Sequence, residues 1–180
     1  MLNDAQIERW SRQILLPDVG GRGQLRLLAA RVAVLGDGSG AEAAADLLRR
    51  AGVPVARGTA AADAEVVVDL ADGDAVAGAA HPGTPLVRGR VAGAGGWVVT
   101  AVGRPCGLCA PSPGPSMGVP GSLLAAPAAL VLASLVAAEV LRILLTRPAG
   151  GRRHTFDLDA GTFTSKALVG DGCAACGGQA

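Results

Sequence analysis

The sequence predicts an α/β fold: a Rossmann-like, reduced and mainly parallel sheet, followed by a long C-terminal helix, a β-hairpin and a zinc knuckle. Three observations predict it. Arg31 to Val53, RVAVLGDGSGAEAAADLLRRAGV, reads as an apolar strand, a glycine turn and an alanine-rich helix. Residues 65–70, EVVVDL, form the kind of apolar run that parallel strands buried on both faces require. Two C-x-x-C pairs, Cys106–Cys109 and Cys173–Cys176, bracket a long apolar segment and a hairpin pattern.

Length and composition bound the answer. A chain of 180 residues is read as one domain, with N-terminal helices over 1–30, a core over 31–104 and a zinc-binding, helix-hairpin region over 105–180. Half of the residues are hydrophobic, yet there are two Trp, two Phe and no Tyr, so Ala, Val and Leu must build the core. The net charge of +1 carries no electrostatic case for nucleic acid or a membrane surface. The polar start, MLNDAQIERWSRQ, lacks the apolar centre of a signal peptide, so a cytoplasmic location is expected.

In chain order, Ile7, Trp10, Ile14 and Leu15 stand at helical spacing over 5–16, and Pro17 with Gly20–Gly21 closes that segment. A second short helix is expected over Gln24–Ala30. The strand–turn–helix unit follows: Val32–Leu35, then Gly36, Gly38 and Gly40, then Ala41–Ala51. Glycines let the backbone approach a phosphate, and the free N–H groups of a helix start point at it. The same turn can also serve packing alone. Further strands are expected at 52–57, 65–70 and 85–91, with a weak helix near 74–80 and an antiparallel strand at 97–102. Leu123–Leu145 is the most membrane-like stretch, but Pro127, Glu139 and Arg142 interrupt it, and a buried or half-buried core helix from near Pro127 to Leu145 is expected, with Glu139 and Arg142 on one face. Its apolar character on more than one face points to a homodimer. His154–Leu158 and Thr162–Leu168 flank Asp159-Ala160-Gly161 as a β-hairpin.

Two residues between paired thiolates let each turn present both sulfurs to one ion. Redox pairs would open a helix after a strand, which proline-rich and terminal contexts suit poorly, and disulfides are disfavoured in a reducing compartment. The spacing therefore favours one structural zinc on Cys106, Cys109, Cys173 and Cys176, since four thiolates leave no open position for a substrate.

ERWSRQILLPDVGGRGQLRLLAARVAVLG resembles the opening of the MoeB/ThiF/HesA family, the bacterial relatives of ubiquitin-activating enzymes. AEVVVDLADG is similar to the family's VVDATDN strand, GTPLVRGRVAGAGGWVV to its PLVxGxxxGxxGxV segment, and ASLVAAEVLRILL to its GSLQAxEAxKLLL helix. The cysteine pairs fall where that family binds zinc, and the pieces keep the family's order. The resemblance implies a ThiF-type nucleotide-binding fold and adenylation, with ATP and magnesium, of the C-terminal Gly-Gly carboxylate of a ubiquitin-like sulfur carrier. It further implies that Arg12 is offered to ATP across a dimer, that Gly36, Gly38, Gly40 and Ala41 form the phosphate loop, and that Asp72 holds magnesium.

The chain departs from that pattern at definite places. Ser39 stands where the family motif has a glycine, and Asp37 and Glu42 put negative charge beside a polyanion site. Between Val53 and Asp63 the family carries several dozen further residues, including a ribose acid and a phosphate lysine. Here Arg57 stands near the place of the ribose acid, the sole lysine is Lys166 against fifteen arginines, and Gly73 replaces an asparagine. Arg57 and Arg88 are the cations the sequence offers near the turn. The loop 110–121 has no cysteine for a covalent carrier linkage. Three functions follow: a minimal adenylyltransferase, an inactive zinc-stapled scaffold for a carrier or an active homologue, or a small nucleotide binder of another chemistry.

Overall fold

The computed structural model describes residues 1–58, 63–71, 83–103 and 121–168. The first helix, α1 (Asp4–Ile14), is opened by a capping box in which the Asn3 side chain accepts from the Gln6 backbone and the Gln6 side chain accepts from the Asn3 N–H. Next comes α2 (Gly20–Ala29). Gly20 and Gly21, expected to close the preceding segment, instead form the first turn of α2. Helix starts tolerate glycine because those N–H groups lack intrahelical partners anyway. Gly23 then lets α2 approach the long helix, since a Cβ there would meet Leu145 Cδ2 at 3.1 Å.

The strands are β1 (Val32–Leu35), β2 (Val55–Arg57), β3 (Val66–Asp69), β4 (Leu86–Ala92), β5 (Gly95–Ala101), β6 (Arg152–Asp157) and β7 (Thr162–Ala167). They form one seven-stranded sheet in the order β2-β1-β3-β4-β5-β6-β7. The junctions from β2 through β4 are parallel and those from β4 through β7 antiparallel. The sheet is therefore mixed, not mainly parallel. The two residues between β4 and β5, Gly93 and Ala94, permit only an antiparallel return, and the C-terminal hairpin extends the same sheet through β6 on β5.

Helix α3 (Ser39–Arg50) follows β1, and α4 (Ala125–Thr146) precedes β6. Both pack on one face of the sheet, where Val34, Ala44, Leu48, Val68, Val87, Val98, Leu132, Val136 and Val140 join one buried cluster. The alanines keep the two helices close to each other and to the sheet. Pro127 sits in the first turn of α4, where its missing N–H costs nothing. Helix α4 is long and apolar enough to cross a membrane by length and composition, and 56% of its most apolar window is buried against this fold. Glu139, in the middle of it, is 4% exposed and ion-paired to Arg142 at 2.6 Å.

Candidate functional site

The turn from β1 into α3 brings Gly36, Gly38, Gly40 and Ala41 together, and each does a different job. Gly36, at φ +101°, packs on the end of β3: a Cβ there would lie 2.5 Å from Ala71 N and Leu70 C. No side chain fits. Gly38 caps α3 at φ +110° and faces open space, so its backbone is the accessible one. Gly40 lies under α4, with Leu132 Cδ2 3.4 Å from where its Cβ would be. Ala41 is buried. This division into tight turn, open approach and helix packing is the one a phosphate-binding turn requires.

A cavity of about 180 Å³ lies beside the turn. Gly38, Ser39, Leu70, Arg90 and Leu132 are among its lining residues, as is Asp37, whose residue is exposed. Backbone N–H groups at the start of the 12-residue helix α3 add partial positive charge there. Glu42, in the first turn, suits that helix end but opposes an anionic ligand.

Behind the cavity, Asp69 ends β3 and is 0% exposed. Its carboxylate accepts from Arg88 Nε at 2.9 Å, from Arg90 Nη2 at 3.3 Å and from the Ala71 N–H at 3.1 Å, while Arg90 Nη1 donates to the Asp69 carbonyl at 3.0 Å. Arg90, which sequence reading left out, thus joins Arg88 as a cation of this site. A signal for it was present: R-G-R on a strand puts both arginines on one face. On the other side of the turn, Arg57 at the end of β2 donates from Nη2 to the Gly36 carbonyl at 3.0 Å.

Arg12 is not brought to the turn. It is exposed in the last turn of α1, two residues from Trp10, whose Nε1 donates to the Arg50 carbonyl at 3.1 Å. Arg50 is the last residue of α3, about 18 Å along the helix from the glycine end at 1.5 Å per residue. Asp72 and the four cysteines, Cys106, Cys109, Cys173 and Cys176, lie outside the described residues. Among the described residues no group of three or more His, Cys, Asp or Glu could hold a metal ion.

No family model matches the chain. Over 52 residues, 29% of its length, it is 52% identical to the adenylyltransferase and sulfurtransferase MOCS3 of Mus musculus, and the match spans 11% of that protein. Among solved structures it is similar to PaaA, at TM-score 0.69 and 13% identity over 92% of this chain and 74% of that one. It is also similar to E. coli MccB, at TM-score 0.63 and 14% identity with succinimide and at 0.62 and 14% with ATP, each over 94% of this chain and 74% of that one. At these identities the solved structures establish the fold. The sequence match is thus local, confined to about a tenth of that relative's length, whereas the fold is shared over nine-tenths of this chain.

Proposed function

We propose that this chain seats the phosphates of a nucleotide at Gly38–Ser39 and serves the adenylation of the C-terminal Gly-Gly carboxylate of a ubiquitin-like sulfur carrier. One observation carries the reading: the open backbone of Gly38, at the start of α3, stands over a cavity that Arg90 also lines. In that reaction a carboxylate oxygen attacks the α-phosphorus of ATP. The bond to the β-phosphate oxygen breaks, and acyl adenylate and pyrophosphate form. The developing charge needs cations and aligned N–H groups. Arg90 and the helix start supply them from this chain, Asp72 would hold magnesium, and Arg12 would come from a second copy in a homodimer. Its position at the far end of α3 from its own turn supports a contribution in trans.

The second reading is a scaffold without turnover. Two placements favour it. Asp69 already engages Arg88 and Arg90, and Arg57, a cation, occupies the edge where a ribose acid is expected. Two measurements separate the readings. Isolated chain titrated with Mg-ATP is expected to bind more weakly than about 1 mM, because two missing charged partners at about 2–5 kcal/mol each remove several orders of magnitude. A micromolar constant, together with carrier-dependent exchange of labelled pyrophosphate into ATP, would establish the enzyme. Weak binding without exchange would establish the scaffold.

In either reading the two C-x-x-C pairs hold one structural zinc. The support is the chemistry of the donor set: four thiolates complete a tetrahedral shell without a water. Elemental analysis is expected to find about one zinc per chain, and Cys106→Ala to lose both the metal and thermal stability. Metal-free protein of unchanged melting temperature would refute this.

A further inference from the structure

We propose that Arg57 turns the ribose end of the nucleotide seat into a phosphate site, so that the nucleotide preferred by this chain carries a phosphate on its ribose. The inference rests on the phosphate seat at Gly38 and not on the adenylation step.

Arg57 is the last residue of β2, paired in register with Val34, which stands two residues before Gly36. Ligands of parallel α/β sheets bind across the carboxyl ends of such strands, with the phosphates at the first glycine turn and the ribose over the end of the neighbouring strand. Arg57 stands 21 positions after Gly36, which is the place of the ribose-binding acid in that arrangement. A carboxylate there accepts from both ribose hydroxyls. A guanidinium can only donate, so it leaves a free ribose diol with unmatched O–H groups and matches a phosphate instead.

The structure holds Arg57 ready for that role. Its Nη2 is anchored on the Gly36 carbonyl at 3.0 Å, which fixes the plane of the guanidinium beside the turn. Its Nη1 is fully buried and has no partner among the described residues. A buried charged donor without an acceptor is costly, and an anionic oxygen is the acceptor that relieves it most. Residues 55–58, Val-Ala-Arg-Gly, provide no carboxylate to fill that place. The nearest acid of the turn, Asp37, is exposed.

The test is calorimetric titration of the full chain with AMP, ATP, adenosine 2′,5′-bisphosphate and adenosine 3′,5′-bisphosphate. One bisphosphate is expected to bind at least about tenfold more tightly than AMP, the scale of one charged hydrogen-bonded pair. It is also expected to bind more tightly than ATP, although ATP carries more charge, because the position of the phosphate decides. Which bisphosphate wins tells whether the 2′ or the 3′ oxygen carries it. Arg57→Gln should erase the preference, and Arg57→Glu should reverse it in favour of AMP. AMP and both bisphosphates binding equally to wild-type protein would overturn the role of Arg57 while leaving the phosphate seat standing. Folded protein that binds none of the four would overturn the seat, and this inference with it. If neither variant folds, the wild-type comparison alone decides.

Discussion

Asp69→Ala is expected to lower the unfolding free energy by about 3–5 kcal/mol, the cost of removing one partner from a buried ion pair. The carboxylate is completely buried, whereas the side chains of Arg88 and Arg90 are only 16% and 20% exposed. Without it, Arg88 and Arg90, two residues apart on one face of β4, lose the buried anion they share, and the Ala71 N–H loses its acceptor. The Ala71 contact matters for the site as well. It fixes the chain just past β3, against which Gly36 packs with no room for a Cβ. Loosening that contact should loosen the glycine turn. Asp69→Asn keeps the volume and an acceptor for Ala71 but not the charge, so it should cost less than the alanine variant. Urea unfolding at neutral pH checks the order: wild type, then Asn, then Ala. A domain of this size holds about 5–15 kcal/mol in total, and at about 2–4 °C per kcal/mol the alanine variant should melt roughly 6–20 °C below wild type. A midpoint shift worth less than about 1 kcal/mol in Asp69→Ala would mean that water and other partners satisfy both arginines and that the Asp69 carboxylate contributes little.

Much of this architecture was legible because it rests on local signals. Val-Val-Val-Asp reads as a strand buried on both faces, and Gly-Asp-Gly-Ser-Gly after an apolar run reads as a sharp turn. The turn's division of labour was not legible. Gly36, Gly38 and Gly40 look alike in sequence, and what separates them is what lies opposite: β3 for Gly36, open space for Gly38 and α4 for Gly40. Arg90 was missed for a similar reason. Its partner Asp69 reaches it through the register of β3 on β4, set across a crossover that periodicity does not resolve. The mixed sheet was not legible, because the C-terminal hairpin joins it through a pairing between strands distant in the chain. Nothing in residues 152–167 announces that β6 pairs with β5, which lies fifty residues earlier in the chain. The Glu139–Arg142 pair, three apart on a helix, was visible from spacing alone. The two further partners of Glu139, contributed by strands, were not.

Those partners set the second large effect. Glu139 sits at the centre of α4 and faces the sheet. Its carboxylate accepts from Thr100 Oγ1 at 2.8 Å, from Arg142 Nη2 at 2.6 Å and from the N–H of His154 Nε2 at 3.2 Å. Burial by itself pushes this carboxyl upward. Hydrogen bonds from His154, Arg142 and Thr100, with the charge of Arg142, more than offset it and hold the group at about 2, against an ordinary value of 4.5. The sign follows directly. A carboxyl whose folded value is depressed contributes stability that is fully present above 4.5 and is lost as pH falls towards about 2. The difference between those two values is worth about 3 kcal/mol. Glu139→Gln keeps the shape but not the charge, and it leaves an amide facing donors from three directions. The variant should therefore be less stable than wild type at pH 7 by about 2–3 kcal/mol, and the gap should narrow steadily below pH 4.5. Comparing the two proteins at each pH cancels the carboxylates remote from α4, so the difference curve reports Glu139 together with its ring partner His154. Urea midpoints measured from neutral pH down to about pH 3 supply it. A gap that stays constant over that range would show that Glu139 is already neutral in the folded protein, and the ion pair with Arg142 would have to be abandoned. A narrowing gap would place the charge of Glu139 where the structure puts it, clamping α4 to β5 and β6 and so fixing the roof over the glycine turn, to which α4 contributes Leu132.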